Sequence, residues 1–409
     1  GDASSLDIGT RAFLLRKFAN IYHDRQHTPL SLHLREVRRL GDPRLSDAIS
    51  GMMREFKDHQ DVRQLLLRIV RESRVEGCGE AILPLALATD VDAYTQSCAV
   101  QAIGTAGTPE QKIKLRSAIV KSPDKLNRQV LAAAVETLTD LTCAEVATIA
   151  ELAPKAKPFS SDHLDSQLER YANHLSLPDK KQLLTLFVAL LQRPPLKDDN
   201  YCRVSTRFAW LLPVAFDLAK QVLLSEPGCR DAVILSALSM AEQSDHLHGY
   251  SGDLQKELSG VLGSSRELAH ALFWHEVEGK RQRSGKPVTD FWHPGIHIYS
   301  ADDVPLLCSA LKQRTADDKL IALSTLVTIY SRAGKPSDIF DSVRACIAGD
   351  RALERALENH LSPPPTSPEL AAAEKEHKRF ETESRLQKEK NEKAREEWIA
   401  RLKADPKMI

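Results

Sequence analysis

Aromatic side chains are scarce in this 409-residue chain, 5% of the total. That scarcity argues against a sheet core, which draws on aromatic and β-branched residues, and the abundance of Leu and Ala points to helix-on-helix contacts. An excess of one charge is also missing, with 56 Lys and Arg against 56 Asp and Glu. No global field therefore steers the molecule toward nucleic acid or an anionic membrane. No apolar run approaches the roughly 20 residues of a membrane span, and no signal-peptide pattern opens the chain. The seven cysteines, at 78, 98, 143, 202, 229, 308 and 346, are odd in number and never spaced C-x-x-C. This excludes a disulfide framework or zinc knuckle and predicts a reducing, cytoplasmic setting.

Catalytic signatures are missing too. A phosphate-binding loop needs G-x-x-x-x-G-K-[ST], and the Gly-Lys pairs at 279–280, 285–286 and 334–335 lack that frame. No G-x-S-x-G elbow occurs, and His275-Glu276 is followed by Val277-Glu278-Gly279 rather than by a second His one turn on. The expectation is a chain without catalytic residues, cofactor site or metal site.

What is present is helical periodicity. Ala12, Leu15, Phe18 and Ile21 or Tyr22 share one stripe of a predicted helix over 9–22. Short helices follow over 32–40 and 47–56, divided by the Gly41-Asp42-Pro43 turn signal. From Asp61 the pattern repeats: Cys98 to Ile103 (CAVQAI) is echoed by Ala133 to Leu138 (AAVETL), and Thr108-Pro109-Glu110 falls opposite Cys143-Ala144-Glu145 under the same shift of 35. Arg63 to Val70 offers an upstream copy, and Lys319 to Ile347 has the same helix, break, helix shape. Pairs of this kind bury their apolar faces only against neighbours, which predicts an all-α, HEAT-like solenoid of stacked helical hairpins. Buried helices are also expected over 201–222 and 230–241.

These patterns divide the chain into a helical lead-in over 1–58, HEAT-like repeats over 59–155, continued helical repeats over 156–361, a Pro-rich linker over 362–368 and a long charged helix over 369–409. The linker is marked by Pro363-Pro364-Pro365, which stops a helix and favours an extended segment. In the last segment Glu374 with Lys378, Glu381 with Arg385 and Glu389 with Lys393 provide i, i+4 support. Its apolar residues keep no heptad, which speaks against a long coiled coil. Trp398, Ile399 and Leu402 nevertheless form a small apolar patch, an expected contact point for protein.

Histidines concentrate between His246 and His297, with His248, His270, His275 and His293 between them. Carboxylates such as Asp245, Glu276 or Asp290 could serve as outer partners of a metal there. Pro294-Gly295, however, interrupts the helix that would present His293 and His297 together, so a structural role is preferred and a metal-binding enzyme is the alternative. Phe273, Trp274, Phe291 and Trp292 read as large anchors holding a connection over 279–288. Arg35, Arg38 and Arg39, with Arg63, Arg68, Arg71 and Arg74, could form a phosphate-binding stripe, and a nucleic-acid-binding solenoid is the second alternative. Interleaved Glu36, Glu55, Asp58 and Glu72 and the lack of stacking aromatics favour solvated helix faces instead.

Three stretches carry a resemblance: IGTRAFLLRKFANIYHDRQHTPLSLHLREVRRLGDPRLSDAI (Ile8 to Ile49), ALFWHEVEGKRQRSGKPVTDFW (Ala271 to Trp292) and the tail PPPTSPELAAAEKEHKRF...EEWIARLKADP. Together they resemble the region that follows the ATPase module in large bacterial NACHT-type STAND NTPases. The resemblance implies a parent protein that couples ligand sensing by helical repeats to effector activation through a nucleotide-driven switch, often in defence against phage. The ATPase motifs of that family are absent, so it supplies no nucleotide-binding or catalytic residue. The chain opens on Gly1-Asp2 without an initiator Met, and a segment of a longer protein is expected. Its expected role is a sensor or autoinhibitory arm acting on protein partners.

Overall fold

The computed structural model describes residues 5–24, 39–88, 90–156, 163–197, 203–246, 253–285, 288, 291 and 298–361. Among these, all regular structure is helical, and the nearest approach to a sheet is one isolated antiparallel bridge between Leu196 and Ser205. The all-α expectation therefore holds. The Pro-rich linker at 362–368 and the charged helix at 369–409 lie outside the described residues, as does most of the helix expected over 32–40.

The α-helices are α1 (Ile8–Asp24), α2 (Ser46–Glu55), α3 (Gln60–Ser73), α4 (Gly79–Leu87), α5 (Ala93–Ala106) and α6 (Pro109–Lys121). They continue with α7 (Arg128–Thr137), α8 (Cys143–Leu152), α9 (Leu164–Asn173), α10 (Leu177–Leu191), α11 (Leu212–Ser225) and α12 (Ala232–Glu242). The series ends with α13 (Asp253–Gly263), α14 (Arg266–Ser284), α15 (Val304–Gln313), α16 (Ala316–Arg332), α17 (Ser337–Ile347) and α18 (Arg351–Leu361). The packing separates two compact units, one reaching Gly279 and the other beginning at Lys280. Those units follow contacts, whereas the divisions expected at 58, 155 and 361 follow composition and repeat pattern.

In the first unit, neighbours in space are mostly two helices apart in sequence. Helix α3 packs on α5, α5 on α7, α7 on α9 and α9 on α11, while α2, α4, α6, α8, α10 and α12 form a second series of the same kind. The caps show why the pattern recurs. Asp92 and Asn127, 35 residues apart, cap α5 and α7 by accepting from the backbone N–H groups of Thr95 and Gln129. Thr108, Thr142 and Ser176, spaced by 34, cap α6, α8 and α10 through the N–H of the residue three positions on. At Thr108 and Thr142 a Gln or Glu at that third position completes a capping box, satisfying two otherwise orphaned donors. The structural register of α6 and α8 is thus Thr108 with Thr142, one residue short of the pairing with Cys143 expected from the sequence. The reason is that the hydroxyl cap, and not the first apolar residue, decides where the helix starts.

Two expected boundaries are also corrected. Only from Leu212, rather than from Tyr201, does the chain form α11, because residues 204–208 are spent on the bridge at Ser205 and a turn, and Pro213 suits a first-turn position. Conversely α14 continues to Ser284, so much of the expected connection over 279–288 is helical. Gly279 is tolerated there, and Arg281 and Arg283 in the last turn complement the negative end of the helix.

Between α6 and α8, Arg116 grips Glu145 with two parallel hydrogen bonds of 2.9 and 2.6 Å and reaches Asp140 at 2.7 Å. The Arg116 guanidinium holds the Glu145 carboxyl down at about 2. A depressed folded-state value means that the contribution to stability is present at neutral pH and is lost as pH falls from the ordinary glutamate value of 4.5 through about 2.

The second unit contains α15 to α18, with α15 against α16 and α17, and α16 against α17 and α18. Buried Asp318 accepts from Arg281 at 2.7 Å and from Arg314 at 3.5 Å. The α16–α17 turn places Gly334 and Lys335 at positive φ, 82° and 63°, and Tyr330 stacks on Phe340 across it at 5.4 Å.

Two outcomes test these packing rules. A Cβ on Gly104 would stand 2.5 Å from the Cβ of Thr137 on α7, so Gly104→Ala is expected to destabilise by about 1–3 kcal/mol despite the helix-propensity gain of about 1 kcal/mol. Gly51→Ala, in open space on α2, is expected to stabilise by up to about 1 kcal/mol, both read by urea denaturation. In the second test, Arg116→Met should return the Glu145 titration toward the ordinary glutamate range by carboxyl-detected NMR, and should flatten the acid-side stability loss.

Candidate interaction groove

The 35-residue recurrence directs equivalent side chains to one place. Tyr94, Ser97, Cys98 and Gln101 on α5 and Gln129, Ala132, Ala133 and Glu136 on α7 are pairwise 35 positions apart, and all eight line one groove. Arg68, Arg71 and Glu72 from α3 and His163 and Gln167 at α9 complete its walls, enclosing a volume of about 310 Å3. Of the lining residues, Ser97, Cys98, Ala132 and Ala133 are buried, Arg68, Arg71, Gln101 and Glu136 are half-buried, and Tyr94 is exposed.

A hydrogen-bonded ladder crosses the groove. Arg71 donates to Gln101 Oε1 at 2.7 Å and to Glu136 Oε1 at 3.0 Å, and Gln101 Nε2 donates to Glu136 Oε2 at 2.7 Å. One carboxylate thereby receives a donor from α3 and another from α5. Nearby, the Arg68 guanidinium donates to the Tyr94 hydroxyl and lies 5.4 Å from the centre of its ring, a cation–π arrangement. The adjacent Arg128 is turned onto Trp210, 4.5 Å from its ring centre. Two arginines face two glutamates in this groove, so neither sign dominates.

Two polar atoms in the lining stand out. Gln129 Oε1 and Gln167 Oε1 are buried and have no hydrogen-bond partner among the described residues. Cys98, the one thiol in the lining, is pushed upward by burial, and so stays protonated at neutral pH rather than offering a thiolate. Elsewhere burial likewise raises Cys78, Cys143, Cys229 and Cys308, the last to about 12.

The residues singled out from sequence are distributed as follows. Arg68 and Arg71 enter the groove, whereas Arg63 lines a different cavity with Arg54 and Lys57 between α2 and α4, and Arg74 is the exposed left-handed C-cap of α3. Arg39 is exposed, while Arg35, Arg38, Trp398, Ile399 and Leu402 lie outside the described residues. Of the histidine cluster, His270 is buried and His275 lies with its Nε2 3.2 Å from Ser236 Oγ. His248, His293 and His297 lie outside the described residues, as does the side chain of His246. Among the described residues no group of three or more His, Cys, Asp and Glu is placed to hold a metal ion. Phe273 is fully buried and meets Trp274 edge to face at 5.2 Å, and Phe291 is buried beneath Lys280. Of the four aromatics, Phe273 and Phe291 are buried and Trp274 is half-buried, while Trp292 lies outside the described residues.

Sequence reading missed Tyr94, Gln101, Gln129, Glu136 and Gln167. The signal was available in the shift of 35 that pairs Tyr94 with Gln129 and Gln101 with Glu136. In comparisons with known proteins, the chain matches no family model, no curated protein and no solved structure. Among the described residues no helix is long and apolar enough to cross a membrane.

The ladder predicts coupling between residues 65 positions apart in sequence. A double-mutant cycle of Arg71→Ala and Glu136→Ala should give an interaction energy of about 0.5–1.5 kcal/mol by chemical denaturation. Additive single effects would show that the two side chains do not support one another.

Proposed function

We propose that this chain is a non-catalytic helical-repeat module for protein interaction and signal relay, built as a HEAT-like solenoid. The observation that carries the reading is the double series of helices two apart, with hydroxyl caps at 34-residue spacing and equivalent side chains lining one groove. A stacked array of this kind yields an extended surface of repeated side chains, the usual working surface of repeat proteins. The raised Cys98 thiol and the balanced charge of the groove favour binding over nucleophilic chemistry there.

The wider setting rests on the resemblance of Ile8 to Ile49, Ala271 to Trp292 and the tail to the part of NACHT-type STAND NTPases that follows the ATPase module. On that reading the module is the sensor or autoinhibitory arm of a larger bacterial, cytoplasmic nucleotide-switched protein, with antiphage defence as its biological role. Partners are then proteins: the rest of the parent chain, a sensed ligand or an effector.

Purified 1–409 with ATP and Mg2+ is expected to release phosphate no faster than buffer. Turnover that survives repeated purification would overturn the non-catalytic reading. In the parent gene, a phosphate-binding loop encoded upstream of Gly1 is the expected finding, and a gene without one would remove the STAND setting.

A further inference from the structure

In the second unit α17 packs on α15 more extensively than on α16 or α18. The buried residues show which faces are engaged: Val304, Leu307, Cys308 and Leu311 on α15, and Ile339, Val343 and Ile347 on α17. Residues three or four positions apart share one side of a helix. Cys346, three beyond Val343, therefore stands on the packed side of α17, as Cys308 stands on that of α15. Helical phase alone directs the two cysteines toward one interface.

The thiols agree with that phase. Cys346 lies within side-chain hydrogen-bonding reach of the Cys308 thiol, and neither sulfur is in a disulfide. The thiols of Cys78, Cys98, Cys143 and Cys229 meet Ser50, Arg68, Tyr171 and Asp231 instead. Within the pair the two sulfurs differ in access: Cys308 is buried and Cys346 half-buried. An oxidant arriving from solvent meets Cys346 first. Burial and the neighbouring Cys346 push the Cys308 thiol up to about 12, so Cys308 is a poor first nucleophile. Part of that rise comes from Cys346 itself and lapses once Cys346 is oxidised, while Lys312, one turn along α15, pulls the other way. The order of events is thus Cys346, then Cys308.

We propose that Cys308 and Cys346 are a reversible oxidation site, a dithiol that closes to a disulfide and ties α15 to α17. With glutathione disulfide as oxidant, the Cys346 thiolate attacks one of its sulfurs, displaces one glutathione thiolate and leaves a mixed disulfide. The Cys308 thiolate then attacks Sγ of Cys346 and displaces the second. Two protein thiols are oxidised, one disulfide is reduced to two thiols, and the two protons pass from the protein to the departing glutathione. The cysteines are 38 positions apart, and a bridge over a loop of that length restricts the unfolded chain. In a reducing setting such a bond forms transiently and serves redox sensing rather than structure. The proposal goes beyond the interaction-module reading and does not depend on it.

The test keeps the whole purified chain folded. It is incubated with glutathione disulfide at neutral pH, remaining thiols are blocked with iodoacetamide, and the digest is read by mass spectrometry without reductant. The expected result is a linked pair of peptides carrying Cys308 and Cys346 as the predominant cysteine pairing. The intact monomer should be lighter by two hydrogens, and dithiothreitol should reverse the change. Oxidation should also raise the thermal melt by about 4 °C or more. Cys346→Ser should give neither bridge nor shift, and Cys308→Ser should stop at a glutathione adduct on Cys346. A wild-type chain that stops at glutathione adducts, links other cysteines or dimerises through Cys346 would overturn the assignment, whether or not the variants fold. A bridge that forms without raising the melt would overturn its role as a tie between the helices.

Discussion

Helix α5 has almost no face to give to solvent. Nine of its fourteen residues are buried, among them Thr95, Gln96, Cys98, Val100 and Ile103, because α3 and α7 flank it while α4 and α6 cover it. A helix enclosed on all these sides is positioned by its neighbours jointly, and a small change of volume on any face is felt by the others. Gly104 marks one close approach, since its missing side chain lets α7 come close at Thr137. Even the polar residues of α5 serve this enclosure. Buried Gln96 donates to Ala86 O at 3.1 Å and Ala88 O at 2.8 Å, satisfying the carbonyls left over where α4 ends. The groove depends on that enclosure, because the face of α5 that carries Tyr94 and Gln101 is aimed only once the other faces are occupied.

A repeat of 34 to 36 residues transmits this constraint along the first unit. The N-caps Asp92, Asn127 and His163 begin the α5, α7, α9 series, and Thr108, Thr142 and Ser176 begin the α6, α8, α10 series. Each cap fixes where a helix starts, and each start fixes which residues face the preceding helix of its series. His163 departs from the pattern, with left-handed backbone and no side-chain cap bond. It lies at the edge of the groove, so an irregular cap coincides with the end of the lined surface.

The helical class was legible because Leu and Ala recur at the spacings of amphipathic helices, and because CAVQAI and AAVETL fall on corresponding turns of α5 and α7. The start of α11 was not legible, since Tyr201 to Val222 is mostly apolar, with Arg203 and Arg207 no more disruptive than Asp217 and Lys220, and composition alone does not separate a loop from a buried helix. The length of α14 was misjudged for the opposite reason: Gly279 and a run of charge look like a break, yet a helix carries both when its last turn is basic. The groove was half legible. Arg68 and Arg71 announced themselves by charge, whereas Gln101, Gln129 and Gln167 are polar residues on helices and have no distinction until the packing brings α3, α5, α7 and α9 to one surface.

Charge was in fact a poor guide to where the chemistry of this surface lies. Arg71 and Glu136 spend their charges on one another and on Gln101, which makes them a brace across three helices rather than a lure for an ionic ligand. Arg68 is similarly committed to Tyr94. A brace of this kind ties the three helices to one another, and in a half-buried setting it resists rearrangement better than solvated charges do. The unspent hydrogen-bonding capacity is then left with neutral groups, the oxygens of Gln129 and Gln167.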